Sequence, residues 1–264
     1  MFHEQYPVAW LFHRNTCRWP HNVLSIPEDS SPVASFKEYL GTDPISLPEP
    51  MALAATLQDC IRARLSCRHF SEQPMNLSQL STVANAAYGI KGRSYYDHHE
   101  FLERPVPSGG GLYPLELYFV VRNVEKIDPG VYHYAPLVHG LETIRRLEVP
   151  RQFLGEIFLW QPYVGEASVI VFYASVLERS LWKYTDRGYR YVLLEAGHVA
   201  QNVNLVAESL GLGSLNLGGF FDDQIAALLN IDTDEEVPLY GTALGVPADR
   251  DRSVIRRPEA IRDY

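Results

Sequence analysis

The 264-residue chain is poor in cysteine, in positive charge and in long apolar runs. Its three cysteines, Cys17, Cys60 and Cys67, are odd in number and form no C-x-x-C pair. That excludes a disulfide framework or a zinc knuckle and points to reduced thiols in a cytosolic protein. Lys and Arg number 23 against 32 Asp and Glu, a net charge of −9. An overall electrostatic grip on nucleic acid or on an anionic membrane is therefore not expected. The longest apolar run, Ala167 to Val176, is strand-sized, against the ~18 residues a membrane span needs. Glu4, His13 and Arg14 interrupt the apolar residues at the start, so no signal peptide is read there and a cytoplasmic location is expected.

Several chemistries lack their signatures. There is no P-loop, and no G-x-S-x-G elbow. Gly211-Leu212-Gly213 begins like a dinucleotide fingerprint, but the third glycine position is Asn216 and a helix precedes it where a strand is required. The nine histidines are scattered without metal-ligand spacing, and His98-His99 beside Asp97 reads as a solvated loop. Cys67 lies between arginines, yet no histidine is placed to activate it. It reads as a partly buried structural thiol.

What is present is an ordinary globular composition, 46% hydrophobic and 21% charged, long enough to bury a core unaided. Seven of the 18 prolines lie in the first 50 residues, which precludes a long helix there. The aromatics Phe2, Tyr6, Trp10, Phe12 and Trp19 argue against disorder. Residues 1–50 are read as a proline-rich arm lying across another surface, and 51–264 as one domain. Helices are expected over Met51–Leu65, Leu77–Tyr88, Glu148–Trp160, Arg190–Leu210 and Asp222–Leu229. Strands are expected over Leu115–Arg122, Val131–Tyr134, Ala167–Val176 and Val237–Val246, with a loop over Lys91–Arg104. Strands and helices do not alternate strictly, which favours an α+β fold.

Two stretches carry candidate chemistry. Arg62, Arg64 and Arg68 crowd the end of the first of these helices around Ser66, a natural phosphate cradle or, equally, a solvated helix end. Five further arginines, Arg250, Arg252, Arg256, Arg257 and Arg262, crowd the C-terminus. Pro107-Ser108-Gly109-Gly110-Gly111 directly precedes a strand. It is either an ordinary loop or a backbone built to pass close to a flat ligand.

Five motifs in a fixed order give the chain a recognisable resemblance. They are Arg64-Leu65-Ser66-Cys67-Arg68 with Phe70; Pro107-Ser108-Gly109-Gly110-Gly111-Leu112-Tyr113-Pro114; Gly130-Val131-Tyr132-His133-Tyr134; Lys183-Tyr184-Thr185-Asp186-Arg187-Gly188-Tyr189-Arg190 with Glu195-Ala196-Gly197-His198; and Gly211-Leu212-Gly213 followed by Gly218-Gly219-Phe220. Over Met51 to Glu259 the chain resembles the FMN-dependent nitroreductase superfamily, specifically its SagB/McbC-type dehydrogenases of thiazole- and oxazole-modified peptide pathways.

The resemblance implies a mixed central sheet flanked by helices and an obligate homodimer with FMN at its interface. It implies that Arg64, Ser66 and Arg68 hold the phosphate and ribityl chain, with Arg256 or Arg257 closing on the phosphate. Pro107, Ser108 and Gly109 would line the isoalloxazine, and the Gly218-Gly219 backbone would lie near the ring. Lys183 and Tyr184 would be catalytic, taking a proton from an azoline ring while hydride passes to flavin N5. With both ordinary pKa values near 10, one of the pair needs lowering to act as a base at pH 7, and Arg187 and Arg190 are near in sequence. Oxygen would reoxidise the flavin.

Two departures stand out: Gly109 replaces a common alanine, and a winged-helix peptide-binding region is not seen ahead of the catalytic part. Leader recognition is then expected from a partner such as a cyclodehydratase. The alternatives are an NAD(P)H-dependent nitro- or quinone-type reductase, and a flavin-binding, non-catalytic assembly subunit.

Overall fold

Two strands, β4 (Leu115–Val121) and β7 (Val169–Ser175), are buried along their whole length, and they fix the plan of the molecule. Alternate residues of a strand face opposite ways. Leu115, Leu117 and Phe119 accordingly enter one core and Tyr118 and Val120 the other. A sheet with both faces covered needs such unbroken apolar runs. The computed structural model describes residues 2–18, 33–39, 41, 43–96 and 99–248.

Among the described residues the sheet has seven strands. Besides β4 and β7 these are β1 (Ile45–Ser46), β5 (Gly130–Ala135), β6 (Gly140–Arg146), β8 (Gly213–Leu217) and β9 (Val237–Gly245). Their order is β1-β6-β5-β4-β7-β9-β8. A further hairpin, β2 (Gly92–Tyr96) with β3 (His99–Glu103), stands apart. The α+β class holds, but the mixed sheet expected above is corrected: every ladder between these strands is antiparallel. Parallel pairing is confined, among the described residues, to the isolated bridges Ser66–Ser214 and Met75–Val124.

The helices are α1 (Phe2–Gln5), α2 (Pro7–Asn15), α3 (Leu57–Ala63), α4 (Leu77–Tyr88), α5 (Arg151–Ile157), α6 (Glu178–Tyr184), α7 (Asp186–Ser209) and α8 (Asp222–Leu229). Helices α4 and α7 cover one sheet face, and α5 and α8 the other. Among the described residues, none is long and apolar enough to cross a membrane.

The apolar stripe of α7 lies within the chain's own core: Val192, Val199 and Val203 are fully buried and Ala196 nearly so. That stripe is therefore not available to a dimer interface. The face left open on α7 carries Leu193 and Leu194, and α3 exposes Leu57 and Ile61.

Other boundaries moved for local reasons. Helix α3 starts at Leu57, where Thr56 accepts the Asp59 N–H as an N-cap. The stretch before it lies over α4, with the Met51 N–H donating to Thr82. Pro150 delays α5. The segment expected as a loop, 91–104, is the β2–β3 hairpin, tied by Arg93–Glu100 at 2.8 Å.

The proline-rich segment does more than lie across a surface. Pro7 sits in the first turn of α2, where its missing N–H costs nothing. Further on, β1 joins the sheet edge, Leu47 enters the core and Lys37 pairs with buried Glu236 at 2.6 Å. Packing is therefore continuous across residue 50.

Candidate active site

Residues Arg64, Ser66 and Arg68 follow α3 in an extended stretch that runs beside β8. Ser66 bridges Ser214, and the Cys67 N–H donates to the Ser214 carbonyl at 2.9 Å. The intervening Cys67 faces inward, 5% exposed, against Gly213, where a Cβ would lie 2.5 Å from its sulfur. The reading of Cys67 as a structural thiol holds, and all three cysteines are free. The residues around it are more open: Arg64 is half-buried, and Leu65, Ser66, Arg68 and His69 are exposed. Two guanidiniums and a hydroxyl within five residues, beside a strand, are the donor types that suit a phosphate monoester. Beyond β8, Gly218 is exposed over the Tyr240 ring and Gly219 abuts Leu159. Arg256 and Arg257 lie outside the described residues.

The second group gathers where the glycine loop meets α6 and α7. Gly110 has φ +67°, and a Cβ there would lie 2.5 Å from the Tyr184 hydroxyl and 3.3 Å from Nζ of Lys183. Only glycine combines that backbone with that approach. Pro107 is exposed at the start of the loop, and Gly109 packs on the Tyr191 ring. Tyr191 in turn meets Tyr184 edge-on, with centroids 5.0 Å apart.

Lys183 and Tyr184 end α6, and Thr185, with φ +50°, turns the chain into α7. The structure therefore places the pair on a helix, half-buried. Burial, and then Tyr191, push the Tyr184 hydroxyl above its ordinary pKa. Of the two groups from which a lowered pKa was asked, Tyr184 moves the other way and keeps its proton.

Arg187 and Arg190 are engaged elsewhere: Arg187 donates to the Thr16 carbonyl at 2.7 Å, and Arg190 to the Thr16 hydroxyl. Arg18 donates to the Tyr184 carbonyl at 2.6 Å. The N-terminal segment is thereby fastened to the turn that carries the pair.

Ser108 is not free to offer its hydroxyl to a ligand. It donates to Glu195 at 2.6 Å and accepts from the Tyr113 N–H at 2.9 Å. Tyr88 donates to the other Glu195 oxygen at 2.6 Å. Burial pushes the Glu195 carboxyl up to about 7, against the two hydroxyls and the more distant charge of Arg104. Sequence reasoning gave Glu195 no role beyond a motif letter. A signal was available, because a glutamate at 195 falls on the buried stripe with Val192, Ala196 and Val199. Nothing in the sequence marked Arg104 or Tyr191.

The nitroreductase family model matches residues 61–246. MJ1384 of Methanocaldococcus jannaschii, a protein named for that family, is 40% identical over 189 residues, covering 72% of this chain and 90% of its own. The microcin B17-processing protein McbC of Escherichia coli is 34% identical over 142 residues, 52% of either chain. The solved E. coli microcin synthetase complex McbBCD, with truncated pro-MccB17 bound, matches with a TM-score of 0.61 at 25% identity, over 93% of this chain and 94% of that one. With this fold and these two groups of residues, the chain belongs to the nitroreductase family of oxidoreductases.

Proposed function

We propose that the chain is an FMN-dependent dehydrogenase that oxidises thiazoline or oxazoline rings of a modified peptide to thiazole or oxazole. The observation that carries this reading is the packing of Lys183 and Tyr184 onto Gly110, which sets a titratable pair against the loop assigned to the flavin. A hydride-delivering nicotinamide needs no such pair, whereas aromatising a ring means removing a proton as well as a hydride. The likeness to McbC and to a complex holding a microcin precursor supports a peptide substrate and a cyclodehydratase partner.

Arg64, Ser66 and Arg68 would hold the FMN phosphate, with Arg256 or Arg257 assigned to the same group. The backbone of Pro107, Ser108 and Gly109 would face the isoalloxazine, and Gly218 and Gly219 would leave room beside it. When bound, FMN supplies a two-electron acceptor for hydride. Lys183 is assigned the ring proton, and Tyr184, which stays protonated, orients the ring by donating a hydrogen bond. The open apolar faces of α3 and α7 support a homodimer.

The test is azoline oxidation by the flavin-loaded protein, followed as loss of two hydrogens per ring by mass spectrometry. Lys183→Ala is expected to slow it by about 10²-fold or more with flavin content unchanged. An unchanged rate overturns the mechanism. The 40% identity to MJ1384 favours a second reading, an NAD(P)H-dependent nitro- or quinone-type reductase. Nitroarene reduction indifferent to Lys183→Ala, without azoline oxidation, would establish that one.

A further inference from the structure

Arg104 directly follows the β2–β3 hairpin and is only 4% exposed. Its Nη1 donates to the Tyr88 carbonyl at 2.8 Å, while its Nε has no partner. Three rings surround the guanidinium, with centroids at 4.1 Å for Tyr88 and 5.2 Å for both Tyr113 and Phe36. Cation–π contacts offset part of the cost of burying this charge, but among the described residues no carboxylate forms an ion pair with it. The oxygens of Glu195, whose charge it feels, are taken by Ser108 and Tyr88. A buried guanidinium without an anion is an unfinished arrangement.

Arg104 lines a cavity of about 350 Å³. Phe36 forms one wall, Leu102 another, and Gly110 and Gly111 of the loop a third. Two other charged groups line the space, and each has an opposite charge in an ion pair: Arg179 with Glu116 at 2.7 Å, and Glu100 with Arg93 at 2.8 Å. The remaining charge of the lining is that of Arg104. Gly110 separates this space from the pair, since its bare Cα is what lets the Tyr184 hydroxyl and the Lys183 amine come close.

We propose that this cavity is a substrate-recognition subsite and that Arg104 receives a carboxylate of the peptide, a C-terminus or an acidic side chain. The inference rests on the peptide-substrate reading above. A carboxylate is planar, carries two acceptors and matches the guanidinium fork. The volume accommodates a blocked dipeptide next to the reacting ring.

The experiment is titration calorimetry on the purified, flavin-loaded full chain with two pairs of probes. N-acetyl-glycylglycine is compared with its C-terminal amide, and N-acetyl-glutamic acid amide with N-acetyl-glutamine amide. In at least one pair the carboxylate form is expected to bind about tenfold more tightly or better. The pair that discriminates tells a C-terminus from a side chain. Arg104→Gln is expected to erase the discrimination with flavin content and melting temperature retained. If that variant does not fold, Arg104→Lys, which keeps the charge but loses the fork, is expected to reduce the ratio severalfold. No discrimination in the unmodified protein overturns the proposal, as does discrimination that survives these substitutions. Selective binding without any azoline oxidation would leave the subsite standing and remove the assigned reaction.

Discussion

Ser108 donates its hydroxyl to Glu195 at 2.6 Å, and this bond ties the glycine loop to the middle of the longest helix. The same hydroxyl accepts the Tyr113 N–H, so the loop is closed on itself and anchored in one place. In the proposed flavin site Ser108 would contribute backbone only, and its side chain sets the path of that backbone. The anchor is ionisable, because burial holds the Glu195 carboxyl at about 7, well above its usual 4.5.

That raised pKa has a definite consequence for stability. Between about pH 4.5 and 7 the folded protein holds a proton that the unfolded chain releases, so this contribution is complete below pH 4.5 and is lost as pH rises through 7. The loss is of the order of a few kcal/mol. Urea midpoints measured across pH 5 to 8 for the unmodified chain and for Glu195→Gln isolate it. The variant is expected to show a flatter profile, and parallel profiles would refute the assignment.

Gly110→Ala tests the loop. The substitution demands positive φ from an alanine and drives its Cβ into the Tyr184 hydroxyl. It is expected to cost about 1–2 kcal/mol in stability. Catalysis should suffer far more, because the Lys183–Tyr184 pair must move. Comparing the melting temperature with azoline turnover separates the two effects: a large loss of turnover with a small thermal shift is expected.

The contrast between α7 and the hairpin shows what the sequence could disclose. The 3.6-residue repeat of valines on α7 marks a buried face because periodicity is local. It does not say whether the burying surface belongs to this chain or to a second copy, and here it is this chain's α4 and sheet. The β2–β3 hairpin lacks strong alternation and is held by cross-strand polar pairs such as Arg93–Glu100, which exist only once the strands meet. The site divides in the same way. Arg64, Ser66, Arg68 and the glycine loop were visible as motifs. Arg104 and Tyr191 acquire their roles from contacts far along the chain, such as Arg104 with Tyr88 and Tyr191 with Gly109.

Dimerisation is expected to use the faces left open. Leu57 is 65% exposed and Ile61 58%, and four residues apart they share one side of α3. Replacing both with glutamate should leave the fold intact, since neither enters the core, while turning the dimer into a monomer by light scattering. Flavin retention should fall with it. A variant that remains dimeric would place the interface elsewhere.

The last prediction concerns charges buried far from the loop. His133, fully buried, lies 2.9 Å from Glu116 and 2.7 Å from Glu142, and Glu116 also holds Arg179 on α6. Burial opposes a charge on His133, but its hydrogen bonds to the two glutamates outweigh that and hold its pKa above the ordinary value. The backbone N–H groups of Lys37 and Tyr39 donate to Glu116 and Glu142, so the same carboxylates seat the N-terminal segment. His133→Ala would leave two buried carboxylates facing a void, at a cost of about 3–5 kcal/mol. The destabilisation should be largest at acidic to neutral pH, where the histidine is charged. It should shrink as pH rises through the raised pKa and the unmodified protein loses the same proton. Hydrogen exchange is expected to rise first at residues 37 and 39 and at α6, because Arg179 carries the disturbance to the helix that ends in Lys183 and Tyr184. Uniform protection across the N-terminal segment and α6 in this variant would show that the network does not couple them.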